Sequence, residues 1–370
     1  MASTATLRSA ARLGGILALS ERSERFRELA ERLEDRRSTK VADATAGARA
    51  FAWASLVEVA RRSVVVVAPS EDRARRWRAE LAAWLGEERV LSFPERETMP
   101  YEISTASAGA VHQRLLTLWR VHTAPEPTAV VVSLRALMQH TIAPEDLRER
   151  GRTLRAGDRV SWTATAAWLF ELGYEPVAEV SEPGSFSRRG GILDVYPASA
   201  DIPVRIELFG DEIETLRRFD PVTQRSQDAV DAVDVLPARE YSLEDAPALA
   251  ERLAAARWDQ QRGEGDELQP YTSLVEALRE GRAAPGTDAF APALGATGSL
   301  FDHLGERATV IFEDSVELGL THDAHEAQAD ERREELRGQG LAVNAFPPPY
   351  VPRDRLDAAA DVRGSVRVRP

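Results

Sequence analysis

The sequence predicts an α/β protein with a parallel sheet covered by helices on both faces, together with a smaller β-rich module. Near-continuous apolar runs of strand length occur at 63–69 and 128–133. Segments with helical spacing separate these runs, as is usual for strands that are buried on both faces. Between about 176 and 236, short segments instead alternate apolar and polar residues, which is typical of a sheet with one solvated face.

The elements of the first 149 residues follow the α/β pattern in order. An amphipathic helix is predicted over 20–36, because Phe26, Leu29 and Leu33 fall at helical spacing among charges. After it the sequence predicts the strand at 63–69, a helix over 71–85, a strand at Val90–Phe93, a helix around 111–121 and the strand at 128–133.

The middle of the chain contains one informative alternation. Along this strand, apolar Val204, Ile206 and Leu208 alternate with Arg205, Glu207 and Phe209, and Gly210 and Asp211 then turn the chain into the next strand. We expect the first three side chains to face the core and the other three to share the exposed face. An exposed aromatic residue beside arginines has the composition of a protein-binding hot spot.

Beyond residue 237 the pattern becomes helical again. Helices are predicted over 243–262, 272–281 and 322–338, and a strand at Thr309–Phe312. The segment Phe346–Pro352 is rich in proline and predicts an extended linker.

Composition and charge exclude several classes of function. The 370 residues contain 47 basic and 60 acidic side chains, a net charge of −13, which argues against a broad nucleic-acid-binding surface. With no cysteine, the chain cannot form a disulfide scaffold, a thiolate zinc site, an iron–sulfur cluster or a cysteine nucleophile. We find neither an apolar stretch long enough to span a membrane nor an export signal, so a cytoplasmic location is expected.

A phosphate-binding loop needs two glycines, a lysine and a hydroxyl residue at fixed spacing. The segment before an early helix fails at each defining position. Asp43 replaces the first glycine and Ala48 the second, while Arg49 replaces the lysine and Ala50 the hydroxyl residue. We therefore interpret this segment as a degenerate nucleotide loop.

Two further clusters are candidate chemical sites. Glu313 and Asp314 follow an apolar strand, as do the carboxylates that hold magnesium and water in P-loop ATPases. Without a working phosphate loop this degenerate Walker B motif cannot drive hydrolysis. His322 and His325 have a spacing compatible with a metal, but a solvated helix face is the favoured interpretation. The sequence thus predicts no catalytic residue, no metal and no cofactor for this chain.

Three segments carry a resemblance to a known family. They read Gly-Ser-Phe-Ser-Arg-Arg-Gly-Gly-Ile-Leu-Asp-Val-Tyr-Pro at 184–197, Pro-Val-Arg-Ile-Glu-Leu-Phe-Gly-Asp-Glu-Ile-Glu at 203–214 and Phe-Asp-Pro-Val-Thr-Gln-Arg-Ser at 219–226. Together they resemble the UvrB-homology module at the amino terminus of bacterial transcription-repair coupling factors. The similarity runs from about residue 10 to 350.

This resemblance implies a domain organisation. The α/β domain would be UvrB-like, of degenerate P-loop type and discontinuous, formed by residues 1–149 and 238–350. A UvrA-binding β-rich module would be inserted at 150–237. Residues 351–370 would be a linker or the start of a truncated next domain.

The resemblance also implies a function, that of an adaptor recruiting UvrA for transcription-coupled nucleotide excision repair. The UvrA-contacting positions of the family fall on Arg189, Arg205 and Phe209. UvrB itself has an intact P-loop and a long aromatic hairpin that clamps DNA, whereas 102–113 contains no Phe, Tyr or Trp.

Full-length members of the family are ATP-dependent DNA translocases. ATP, magnesium, DNA and RNA polymerase would engage only domains that lie outside these residues. The alternative is an ATP-dependent DNA translocase or helicase-type enzyme acting through this α/β domain.

Overall fold

The computed structural model describes residues 15–42, 45–255, 269–339, 341 and 343–369. Within them the α-helices are α1 (Glu24–Glu34), α2 (Ala46–Glu58), α3 (Glu71–Leu85), α4 (Ala108–Thr123), α5 (Leu134–Met138), α6 (Pro144–Arg150), α7 (Trp162–Glu171), α8 (Ala246–Ala255), α9 (Gln269–Arg279), α10 (Ser315–Gly338) and α11 (Arg353–Asp361). Short 3-10 helices lie at Ala18–Arg22, Glu87–Arg89, Thr287–Leu294, Leu300–His303 and Val343–Ala345.

The strands of the same residues are β1 (Thr39–Val41), β2 (Ser63–Ala68), β3 (Val90–Phe93), β4 (Ala129–Ser133), β5 (Arg152–Arg155), β6 (Glu175–Pro176), β7 (Ser185–Arg189), β8 (Ile192–Tyr196), β9 (Val204–Phe209), β10 (Glu212–Phe219), β11 (Ser226–Ala229), β12 (Ala232–Val235), β13 (Ala308–Phe312) and β14 (Ser365–Val368).

The first sheet is parallel and has the strand order β1-β14-β13-β2-β4-β3. Alternate residues of β2 enter two different cores. Val65 packs in a cluster with Leu115 of α4, whereas Val66 packs in a cluster with Trp53 of α2 and Trp77 of α3. The strand is therefore apolar from Val64 to Ala68 because both of its faces are covered, which confirms the predicted parallel sheet.

The carboxy-terminal prediction was wrong. Instead of forming a linker or the start of another domain, residues 365–368 form strand β14, which lies between β1 and β13 of the first sheet. Helix α11 buries Leu356 and Ala360 in the core beneath that sheet. The strands that flank β14 lie far away in the sequence, so the four residues of β14 give no local indication of where the strand pairs.

The proline-rich segment before α11 is packed as well, although a linker was predicted. Val351 is fully buried and its N–H donates to the carbonyl of Met138 at 2.8 Å. Tyr350 is buried and forms an isolated antiparallel bridge with Gln139. Proline residues suit this extended path because it requires few backbone donors.

The second sheet has the order β11-β10-β9-β8-β7-β6 and is antiparallel except for the β6–β7 pair. One face packs on helix α7 through Trp168 and Leu169, with Val204 and Ile206 in the same core cluster. The predicted sheet with one buried face is therefore confirmed. Strands β5 and β12 pair separately in a two-stranded antiparallel sheet.

Helix α10 begins earlier than the predicted residue 322. Asp314 precedes it with a positive φ of 50°, and its side chain accepts a hydrogen bond from the backbone N–H of Glu317. This N-cap satisfies a donor of the first turn, so the helix can begin directly after β13. Among the residues that the structure describes, we find no helix with the length and apolar character needed to span a membrane.

Candidate functional site

The exposed face of the second sheet is organised around a buried carboxylate. Asp194 on β8 lies directly opposite Arg205 on β9 and is 1% exposed. Arg205 donates to both carboxylate oxygens, from Nε to Oδ1 at 2.7 Å and from Nη2 to Oδ2 at 2.9 Å. This two-point geometry is the strongest form of an arginine–carboxylate pair and fixes both side chains.

A second arginine completes this arrangement. Arg189, at the end of β7, donates from Nη2 to Asp194 Oδ2 at 3.0 Å while half of its side chain, 49%, stays exposed. We call Asp194, Arg189 and Arg205 the carboxylate clamp. One buried carboxylate therefore holds two guanidinium groups, of which Arg189 is the accessible one.

The two glycines after Arg189 have separate structural roles. Gly190 has a φ of +60°, which a residue without Cβ adopts at little cost. A Cβ on Gly191 would lie 3.0 Å from the carbonyl oxygen of Leu208, whose N–H donates to the carbonyl of Gly191. The Arg-Gly-Gly sequence therefore lets the β7–β8 turn approach the end of β9 closely.

Phe209 ends β9 and projects into solvent. Its side chain is 81% exposed, whereas Val204 and Ile206 of the same strand are buried and Leu208 is partly buried. Gly210, with a φ of +67°, begins the turn to β10. The predicted alternation is confirmed for Phe209: a large apolar side chain lies outside every core cluster of the described residues.

Arg205 differs from the prediction. The alternation predicted an outward side chain, yet Arg205 is only 15% exposed. Its Nη1 donates to the carbonyl of Gln224 and to Ser226 Oγ, and its guanidinium lies 4.9 Å from the ring centre of Phe219. The hydrogen bonds to Asp194 raise the pKa of Arg205 above its ordinary value. Although it lies on the outer face of the sheet, its polar groups are engaged internally.

The segment after β10 forms the cover over Arg205. Asp220 Oδ1 accepts hydrogen bonds from the backbone N–H groups of Val222 and Thr223, which lower the pKa of the Asp220 carboxyl. Gln224 has a positive φ of 60° and donates from Nε2 to the carbonyl of Val180. These contacts hold the turn in place, so that the carbonyl of Gln224 can accept from Arg205 Nη1.

Sequence reasoning missed Asp194. Its one signal was a carboxylate within the apolar run Ile-Leu-Asp-Val-Tyr at 192–196. A charged residue in such a run has to find a partner across the sheet, because an isolated buried carboxylate is very costly. Finding Arg205 as that partner requires the register between β8 and β9.

The segment predicted as the degenerate nucleotide loop follows β1 in the chain and includes the first residues of α2. Asp43 lies outside the described residues. Thr45 caps α2, its Oγ1 accepting from the N–H of Ala48 at 3.4 Å, and Ala50 is buried in the core that contains Trp53 and Trp77, on the opposite face of the first sheet from α11. Arg49 is partly buried on the same helix. Strand β1 is thus followed in the chain by helix α2, with alanine and arginine side chains in the first turns of α2 at the positions that contact the ligand in a phosphate-binding site.

The carboxylates after β13 lie at the same edge of the sheet. Glu313 is 8% exposed, and burial raises the pKa of its carboxyl even though Trp77, Arg73 and Arg49 act in the opposite direction. Arg73 Nη1 lies 3.4 Å from Glu313 Oε1. Asp314 is occupied as the cap of α10. Glu313 is therefore faced by arginines, and no group of three or more metal-ligating side chains occurs in the described part of the chain.

Comparison with known proteins gives one matching family and a consistent set of relatives. The family described as the UvrB interaction domain matches residues 153–241, which include β6 to β12. The transcription-repair-coupling factor of Myxococcus xanthus is 32% identical over 332 residues, covering 82% of this chain and 27% of that protein. That of Mycobacterium tuberculosis is 31% identical over 310 residues, covering 81% of this chain and 25% of that protein.

The corresponding factor of Escherichia coli is 32% identical over 211 residues, covering 56% of this chain and 18% of that protein. The chain therefore spans about a quarter or less of the length of these relatives. The similarity extends well beyond the matched family and includes most of the chain.

Proposed function

We propose that this chain is a transcription-repair-coupling-factor module whose β-rich part binds UvrA, because residues 153–241 match the UvrB interaction domain and most of the chain is similar to such factors. The chain acts in this proposal as an adaptor that brings UvrA to the site where transcription has stalled, so that nucleotide excision repair follows. No catalytic step is assigned to these residues.

The observation that carries the proposal is the exposure of Phe209. An aromatic side chain that is 81% exposed leaves a large apolar area in water unless a partner covers it. Arg189 of the carboxylate clamp is half exposed on the same face of the sheet. Aromatic and arginine side chains are the residue types that dominate the binding energy of protein interfaces.

The chemistry of this face defines what it would recognise. Phe209 fits an apolar pocket, and the accessible guanidinium of Arg189 fits a carboxylate, with which it can form a charge-assisted hydrogen bond. Since the opposite face of the sheet is the core of the module, binding here needs no rearrangement of the fold. We therefore expect the interface to form between two preformed surfaces.

Isothermal titration calorimetry of the purified chain with UvrA tests the proposal. We expect a 1:1 association per module that weakens when Arg189 is changed to Glu, because the substitution sets like charges against each other. Arg218→Glu provides a matched control, since Arg218 is an exposed residue of β10 whose backbone pairs with Val204 rather than with a residue of the clamp. Absence of association at tens of micromolar would show that this chain is not a UvrA adaptor.

The alternative is an ATP-dependent translocase or helicase-type enzyme acting through the α/β domain. The observation that favours it is that helix α2 follows strand β1 in the chain and that Glu313 follows β13, a strand of the same parallel sheet. This alternative requires nucleotide binding, whereas the adaptor proposal does not. A titration with labelled ATP therefore separates the two functions.

A further inference from the structure

The carboxylate clamp divides its two arginines into different roles. All three nitrogens of the Arg205 guanidinium have partners inside the module, namely Asp194 for Nε and Nη2 and the 224–226 segment for Nη1. Arg189 instead donates to Asp194 through Nη2 and keeps half of its side chain accessible. Arg205 therefore stabilises the outer face of the second sheet by joining β8, β9 and the turn after β10. Arg189 is the arginine that can contact a partner.

We propose that Asp194 is a positioning residue for partner binding, which orients Arg189 toward a single acidic group of the partner. This inference rests on the proposed function and deepens it. Asp194 contacts no partner itself, because its carboxylate is 1% exposed. It acts by fixing the torsions of the Arg189 side chain, so that less rotamer freedom is lost when the partner binds.

The number of charges defines the class of partner group. Two guanidinium groups and one carboxylate leave the clamp with one net positive charge. Because Arg205 is only 15% exposed, this charge is available at Arg189. A single carboxylate beside an apolar pocket for Phe209 complements that surface, whereas a phosphate group, with its higher charge, would leave negative charge unpaired.

Two features of the backbone keep the clamp in register. Asp194 faces Arg205 on one side and Ser187 on the other, so its position is set by both β9 and β7. The turn at Gly190 and Gly191 is fixed by the backbone hydrogen bond from Leu208 to Gly191. Arg189 therefore starts from a rigid hairpin, and the direction of its side chain depends on the bond to Asp194.

A double-mutant cycle between Asp194 and Arg189 tests the inference. Affinity for UvrA is measured for the wild-type chain, Asp194→Asn, Arg189→Ala and the double variant. The melting temperature of each chain is measured as a control for folding. We expect about tenfold weaker binding for Arg189→Ala and a loss of similar size for Asp194→Asn. The double variant should bind no more weakly than Arg189→Ala alone, because Asp194 acts through Arg189.

Asp194→Glu covers the case in which Asp194→Asn fails to fold. It retains the charge but lengthens the side chain, so we expect a folded chain with weakened binding. Glu207→Gln is the matched control, since Glu207 lies on the same face and accepts from Thr215 Oγ1 rather than from an arginine. Wild-type affinity for UvrA in both Asp194 variants would overturn this inference but not the proposed function. The same holds if the fold-losses of affinity in the two single variants multiply in the double variant. If the wild-type chain does not bind UvrA, both the proposed function and this inference are wrong.

Discussion

Asp194 and Arg205 lie opposite each other on β8 and β9 and form a two-point ion pair, in which the carboxylate is 1% exposed and the guanidinium side chain 15% exposed. Pairs of this kind are asymmetric in their energetics. The intact pair contributes little compared with an apolar pair of similar volume, but removal of one partner leaves a buried charge uncompensated. Arg205 is therefore important for folding whether or not it touches a partner.

We expect Arg205→Ala to lower the free energy of unfolding by about 3 kcal/mol or more, since it removes two of the three hydrogen bonds to a buried carboxylate. Arg189→Ala should cost about 1 kcal/mol or less, because that side chain is half exposed. Urea unfolding of both variants measures the difference. Equal losses would contradict the division of roles within the clamp.

Phe209 and Phe219 provide a second matched pair, since one is 81% exposed and the other fully buried. Phe209→Ala should weaken binding of UvrA by about 2 kcal/mol or more and leave the melting temperature nearly unchanged. Phe219→Ala should destabilise the fold by about 3 kcal/mol or more. Thermal melts of both variants and a UvrA titration of Phe209→Ala test this. A large loss of stability in Phe209→Ala would show that Phe209 is not a surface residue in solution.

The part of this site that depends on one strand could be predicted from sequence, and the part that depends on strand pairing could not. The period of two along β9 was enough to place Phe209 outside the core. It could not reveal that Arg205 is engaged internally, because its partner Asp194 is on another strand and Gln224 lies on a turn beyond β10.

The same distinction applies to the fold. The strands β2, β3 and β4 were predicted because each carries its own apolar run. β1 has only three residues, and β14 joins the sheet between two strands that are distant in sequence. Their assignment depends on tertiary pairing rather than on local periodicity.

We expect the chain to bind no ATP. The first turns of α2 supply Arg49 in place of a lysine and Ala50 in place of a hydroxyl ligand for magnesium, and Glu313 is faced by Arg73. Arg49→Lys should not restore binding, since Asp43, Ala48 and Ala50 remain. Equilibrium dialysis with labelled ATP and magnesium measures this directly. Turnover that disappears when Glu313 or Asp314 is changed would instead support the translocase alternative.

His303 makes the stability of the α/β domain depend on pH. Its Nε2 lies 2.8 Å from the carbonyl of Ile142, and its Nδ1 lies 3.1 Å from Nε2 of His122. Burial opposes protonation and lowers the pKa of His303 to about 4. Because the ordinary pKa is about 6.5, the unfolded chain binds more protons in this interval. The free energy of unfolding should therefore fall as the pH drops from about 6.5 to 4.

The variant His303→Gln isolates this contribution. It cannot titrate, so its stability should fall less steeply with acid than that of the wild type, by up to about 1.4 kcal/mol per pH unit. Carboxylates contribute equally to both chains and cancel in the difference. Urea unfolding at several pH values between 7 and 4 gives the two curves. Parallel curves would show that the pKa of His303 is the same in the folded and unfolded chains.

A buried ion pair joins the segment after β12 to the α/β domain. Arg114 of α4 is fully buried, and its Nε donates to both carboxylate oxygens of Glu240, at 2.9 and 3.0 Å. Thr141 Oγ1 donates to the same carboxylate at 2.6 Å. Burial opposes ionisation of Glu240, but Arg114 and Arg96 outweigh it and hold the pKa of Glu240 below its ordinary value. Both members of the pair are thus charged in the folded chain.

Glu240→Ala leaves the Arg114 guanidinium buried without its counter-charge, so we expect it to lower the free energy of unfolding by about 3 to 5 kcal/mol. Adding Arg114→Met removes that stranded charge and replaces it with an apolar side chain of similar length. The double variant should therefore be more stable than Glu240→Ala alone, a non-additivity that two independent sites would not show. Urea unfolding of the two single variants and the double variant measures this coupling. If the losses simply add, the pair does not function as a unit, and the junction between the β-rich module and the α/β domain must be held chiefly by its apolar contacts.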